Sequence, residues 1–90
     1  MALRMNEGYI ITDSVHIGES EFVLGVSSVA PSMFVTWKCA DGNNYYWGHY
    51  TTGQLAAMRD LLTRANEELE LLEQRRIRDE QAREQEGLER

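Results

Sequence analysis

Residues 51 to 72 read TTGQLAAMRDLLTRANEELELL, and the reading of this stretch decides the fold. Leu55, Met58, Leu62, Ala65, Leu69 and Leu72 step by three and four residues in strict alternation. That is an unbroken a/d seam, the pattern of a helix with one apolar stripe. Thr51 and Gln54 have the spacing of a capping box, and Tyr50 and Leu55 occupy hydrophobic-staple positions, so a helix is predicted from Thr52. Beyond Leu72 the next seam positions are Arg76 and Asp79, and the seam stops. Leu71 lies on the opposite side of the helix, where no single sheet can bury it.

A helix from Thr52 to about Glu86 would be roughly 50 Å long at 1.5 Å per residue. Strands of about seven residues reach only roughly 20–24 Å, so a sheet covers the first half of it. The remainder, residues 73–90, reads EQRRIRDEQAREQEGLER. Arg75–Asp79, Arg76–Glu80 and Asp79–Arg83 are spaced for i,i+4 contacts, which predicts a solvated helical extension that frays near Gly87, or one ordered only by a partner. Leu55, Met58, Leu62, Leu69, Leu71 and Leu72 are therefore expected to serve both the sheet and a homodimer formed through the helix.

Upstream, the chain changes character: all eight aromatic residues lie between Tyr9 and Tyr50. Tyr9 to Ile17 and Ser20 to Ser27 alternate with period two, and Gly18-Glu19 between them fits a two-residue type II′ turn. That turn would pair Val15 with Phe22, Asp13 with Leu24 and Ile11 with Val26, leaving Asp13 as the one misfit on an apolar face. Met33 to Ala40 and Asn43 to Tyr50 flank Asp41-Gly42, a type I′ signal. The register it implies pairs Trp37 with Tyr46, Val35 with Gly48 and Met33 with Tyr50. Phe34, Thr36, Lys38, Tyr45, Trp47 and His49 would then share the other face. The predicted architecture is α+β: a four-stranded antiparallel meander of two hairpins, followed by one long C-terminal helix packed on one sheet face. Residues 1–8 are predicted to be a flexible tail, 9–72 a single ββββα domain, and 73–90 a charged helical extension or frayed tail.

Ninety residues with a net charge of −6 and a pI near 4.8 form one small acidic domain. The acidity disfavours general nucleic-acid binding, which relies on Lys and Arg at the phosphates. No apolar run approaches a membrane span and no secretory leader is visible, so a cytoplasmic protein is expected. The single cysteine, Cys39, excludes an intrachain disulfide, and two histidines with scattered carboxylates show no metal-ligand spacing. His16 is predicted to face Glu21 across the first hairpin as a surface pair. No phosphate loop, nucleophile elbow or paired-carboxylate frame is present. The reading is a non-enzyme without cofactor, metal or small-molecule substrate.

Two sets of residues are candidates for contacting a protein partner. One is the aromatic and cationic sheet face, Phe34, Lys38, Tyr45, Trp47 and His49, since Tyr and Trp bury area and still offer a hydrogen bond. The other is the helical carboxylates Glu67, Glu68, Glu70 and Glu73. In size, acidity and lack of catalytic residues the chain resembles small inhibitors carried by phages and mobile elements, anti-CRISPR proteins among them. That resemblance implies binding to a defence enzyme, sometimes with carboxylates standing where nucleic-acid phosphates would sit. The alternatives are a nucleic-acid accessory protein, using the aromatic face with arginines 75, 76, 78 and 83, and a purely structural homodimer.

Overall fold

A computed structural model describes the backbone of residues 3–88 and the side chains of residues 3–82. Five strands precede one helix: β1 (Met5–Asn6), β2 (Tyr9–Ile17), β3 (Ser20–Ser27), β4 (Met33–Ala40), β5 (Asn44–Thr52) and α1 (Gln54–Leu88). The strands pair antiparallel in sequence order and form one curled, half-barrel sheet. The α+β class and the long helix are as expected, but the meander has five strands rather than four. The fifth, β1, falls within the stretch expected to be a tail. Two residues are too few to show alternation, and the turn that folds β1 onto β2 uses Glu7 at φ 51° and Gly8 at φ 83°. The Asp79–Arg83 spacing and residues 1, 2, 89 and 90 lie outside the described side chains or backbone.

The first hairpin has the expected turn. Gly18 takes φ 60°, and Ile17 pairs with Ser20, His16 with Glu21, Val15 with Phe22 and Asp13 with Leu24. Beyond that the register shifts at Thr12, and Ile11 faces Gly25 instead of Val26. The bulge leaves Asp13 opposite Leu24, where its carboxylate accepts from the Thr12 hydroxyl, and moves Ile11 instead. An extra residue in one strand exchanges its two faces. Ile11 therefore packs with Val23, Val35, Trp37 and Cys39, while Val15 and Ile17 pack with Phe22 and Leu24 on the opposite face.

The second hairpin departs further from expectation. Asp41 and Gly42 do adopt positive φ, and the Asn43 amide donates to the Ala40 carbonyl as a type I′ turn requires. The ladder, however, pairs Ala40 with Asn44, Cys39 with Tyr45 and Lys38 with Tyr46. A second bulge then sets Trp47 and Gly48 against Trp37 alone, after which Thr36 faces His49, Val35 faces Tyr50 and Met33 faces Thr52. The expected pairs Trp37–Tyr46, Val35–Gly48 and Met33–Tyr50 are thus replaced. Gly48 is needed at this point: a Cβ there would lie 2.8 Å from Nε1 of the buried Trp37.

The helix begins at Gln54 with Gly53, not Thr51, at its cap position. Thr51 and Thr52 still belong to β5, and the Thr51 hydroxyl is buried without a partner, so the capping box does not form. The exposed Leu55 takes no part in a staple. Ala57, Leu61 and Ala65 are the buried helix residues that meet Phe22 and Leu24, with Val15, Ile17, Phe34 and Met58 around them. The contact continues to Leu72, near the Gly18 turn. The helix is thus rotated relative to expectation: Leu55, Leu62 and Leu69 turn away from the sheet. The sheet's other face carries its own core, roofed by an aromatic cluster in which Trp37 meets Tyr9, Tyr45 and Tyr50 at centroid distances of 5.8, 5.6 and 6.2 Å.

Candidate functional site

The helix and strands β3 to β5 leave an open groove of about 610 Å³ whose walls carry Lys38, Trp47 and His49 from the sheet and Arg64, Leu71 and Arg75 from the helix. Its geometry starts from the bulge in β5. Trp47 has φ 54°, the left-handed region that a bulky residue rarely adopts. Such a backbone costs about 1–3 kcal/mol and persists only when its surroundings hold it. The indole is 67% exposed. It lies under the Lys38 ammonium, whose nitrogen is 5.4 Å from the Trp47 ring and 5.8 Å from the Phe22 ring. Tyr46 packs edge-on against Trp47 with centroids 5.0 Å apart. An exposed aromatic with an ammonium beside it presents both an apolar surface and a positive charge.

The back of the groove is a hydrogen-bonded chain. His49 Nδ1 contacts both carboxylate oxygens of Asp60 at 3.0 and 3.1 Å. Asp60 accepts from the Thr36 hydroxyl. The buried Arg64 donates to the Thr36 carbonyl and hydroxyl, both at 3.1 Å. Burial lowers the Arg64 pKa from its ordinary value, and the nearby Asp60 and Glu67 carboxylates oppose that shift. The network ties β4, β5 and the helix together and fixes the side of the His49 ring that faces Asp60. Glu67 and Glu68 line the groove as well, and Glu68 accepts from the Ser20 hydroxyl at 2.8 Å. Lys38, Arg64 and Arg75 make no ion pair within 4.0 Å among the described residues.

Of the sheet residues expected to act together, the fold brings Lys38, Trp47 and His49 into one groove. Phe34 is half-buried beneath the helix. Tyr45 is on the opposite face against Trp37, because the ladder is shifted by one residue there. The four helical carboxylates do not form one row. At 100° per residue Glu67, Glu70 and Glu73 follow one another at three-residue spacing within about 120°, while Glu68 turns towards the sheet and binds Ser20, and Glu70 accepts from Asn66. Leu71 lines the groove, and Leu72 contacts the sheet at Gly18. The sequence reading missed Arg64 at this site. Its position between Leu61 and Ala65 on the sheet-facing side was the available signal.

A second polar cluster closes the other end of the sheet. Glu21, expected at the surface, is buried. It receives two hydrogen bonds from Arg4, at 2.7 and 3.2 Å, and one from the Ser14 hydroxyl, with His16 at 3.5 Å. The Arg4 guanidinium holds the Glu21 carboxyl down at about 2, against the effect of burial. Burial and the adjacent Glu21 push the Cys39 thiol up, away from the reactive thiolate. Among the described residues no group of three His, Cys, Asp or Glu is arranged to hold a metal ion, and no helix is long and apolar enough to cross a membrane. No protein-family model, characterised protein or solved structure matches the chain.

Proposed function

We propose that this chain is a non-enzymatic protein-binding module whose groove receives an apolar or acidic segment of a partner against Trp47. The observation that carries the reading is the Trp47 indole itself, two-thirds exposed and held in a left-handed backbone beside Lys38. Strain of this kind clusters where a side chain must be presented, and exposed tryptophans dominate binding hot spots. The narrower form of this reading, suggested by the resemblance to anti-CRISPR proteins, is inhibition of a nucleic-acid-cleaving defence enzyme. Phosphate mimicry by Glu67, Glu68, Glu70 and Glu73 lends it little, since Glu68 is held by Ser20 and Glu70 by Asn66, which leaves no row of four free carboxylates.

The test is capture from host lysate after nuclease treatment, with the wild-type chain and with Trp47→Ala. A stoichiometric protein partner should be retained by the wild type. Trp47→Ala should weaken it by about 2 kcal/mol, roughly thirtyfold, with the circular dichroism spectrum unchanged. Equal affinity of the two chains for that partner refutes the site. A second reading draws on Lys38 and Arg75 in the groove of one exposed ring, with the buried Arg64 behind them: single-stranded nucleic acid stacked on Trp47. Glu67 and Glu68 in the same groove and the net charge of −6 weigh against it. A gel shift at low salt with a short oligonucleotide separates the two readings.

A further inference from the structure

The rotation of the helix leaves an apolar stripe that the sheet does not use. Leu55 is 86% exposed, Leu62 57%, Leu69 42% and Ile77 54%, and the first two flank an open trough of about 660 Å³ with Met58 and Asn66. These positions follow one another along a nearly straight line, because 55, 62, 66, 69, 73 and 77 recur close to the 3.6-residue turn of an unsupercoiled helix. The line lies about 120° around the helix from the sheet-facing Ala57, Leu61 and Ala65 at 100° per residue. Another helix can approach it without meeting the sheet.

The stripe is symmetric about Asn66. Leu55 and Ile77 are each eleven residues from it, and Arg59 and Glu73 each seven. We infer that a second copy of this chain covers the stripe as an antiparallel helix pair, with the two-fold axis at Asn66. In that register the numbers of facing residues add to 132. Leu55 of each copy meets Ile77 of the other, and Leu62 meets Leu69 to within one residue. Arg59 lies against Glu73, with Glu70 one turn away, and the two Asn66 amides face each other at the centre. A polar Asn at such a position fixes register in helix pairs. The contact also supplies what the helix start lacks. No acidic residue occupies the first turn of α1 and its cap residue is glycine, whereas Glu80 of the other copy would lie beside that end, where the helix dipole favours a carboxylate.

Charge distinguishes this arrangement from its competitors. A parallel pair would set Arg59 against Arg59, Glu70 against Glu70 and Glu73 against Glu73. The antiparallel overlap runs from Gln54 to Arg78, about 36 Å of helix and more than three heptads long. It uses all four exposed leucine and isoleucine side chains of the stripe.

Sedimentation velocity over a wide concentration series tests the assignment. The wild-type chain should shift from its 10.4 kDa monomer mass to twice that value as concentration rises. Arg59→Glu and Glu73→Arg, both at exposed positions, should each weaken the dimer by about tenfold or more by setting like charges together. The double variant Arg59→Glu/Glu73→Arg should restore the wild-type dissociation constant. A chain that stays monomeric throughout overturns the inference. So does a dimer indifferent to both single reversals, and so does a double variant no tighter than the singles.

Discussion

Acid should release the N-terminal segment from the sheet, and the size of the effect follows from Glu21. Its side chain is 9% exposed, and the Arg4 guanidinium, 37% exposed, holds its carboxyl at about 2 against an ordinary value of 4.5. A folded-state pKa below the unfolded one contributes stability that is fully present above the unfolded value and lost as the pH falls through the folded one. At roughly 1.36 kcal/mol per pH unit, the gap is worth about 3.4 kcal/mol. About 2 kcal/mol of that is gone by pH 3, where the unfolded carboxyl is almost wholly protonated and the native one is still ionised. Solvent screening at the partly exposed Arg4 reduces this to about 1–2 kcal/mol. Urea unfolding at pH 7 and pH 3 measures it, with Glu21→Gln as the comparison. The other carboxylates titrate in both chains, so the difference between the two pH losses isolates Glu21. The wild type should lose about 1–2 kcal/mol more than the variant. Equal losses would refute the reasoning and reduce the Arg4 contact to surface decoration.

Two further outcomes test the packing. Leu61→Ala, at a fully buried position, should cost about 2–5 kcal/mol, while Leu62→Ala next to it should cost less than about 1 kcal/mol in a chain kept dilute. Similar losses at both sites in thermal melts would contradict the observed rotation of the helix. Gly48→Ala pushes a methyl group against Trp37 and Tyr50 and should cost about 1–3 kcal/mol. That is roughly 4–20 °C in melting temperature for a domain of this size, and an unchanged melting temperature would mean that the Trp37 ring yields freely.

The sequence carried the element order well and the faces poorly, for physical reasons that differ by element. The Gly18-Glu19 turn and the pairs next to it were legible because a two-residue loop and strict alternation reinforce each other. The bulges at Thr12 and Trp47 were not, since an extra residue changes no composition and only exchanges faces downstream. That is why Tyr45 left the expected surface while Lys38, Trp47 and His49 stayed together. In the helix, the leucine stripe outweighed the face that actually packs, which consists of Ala57, Leu61 and Ala65 with Arg64 beside them. Small and charged residues give a weak apolar signal, yet alanine lets the helix approach the sheet closely, and Arg64 is satisfied by Thr36. β1 escaped because two residues have no period.

The bulge at Trp47 has one more consequence, for colloidal behaviour. β5 is the open border of the sheet, nine residues long and rich in aromatic and β-branched side chains. Such a border is a template for growth into fibres, which needs flat segments of about six or seven residues. The left-handed kink at Trp47 divides β5 into Asn44–Tyr46 and Gly48–Thr52, each shorter than that. The same backbone turn that exposes an indole to solvent therefore deprives a passing strand of a continuous row of amides to copy.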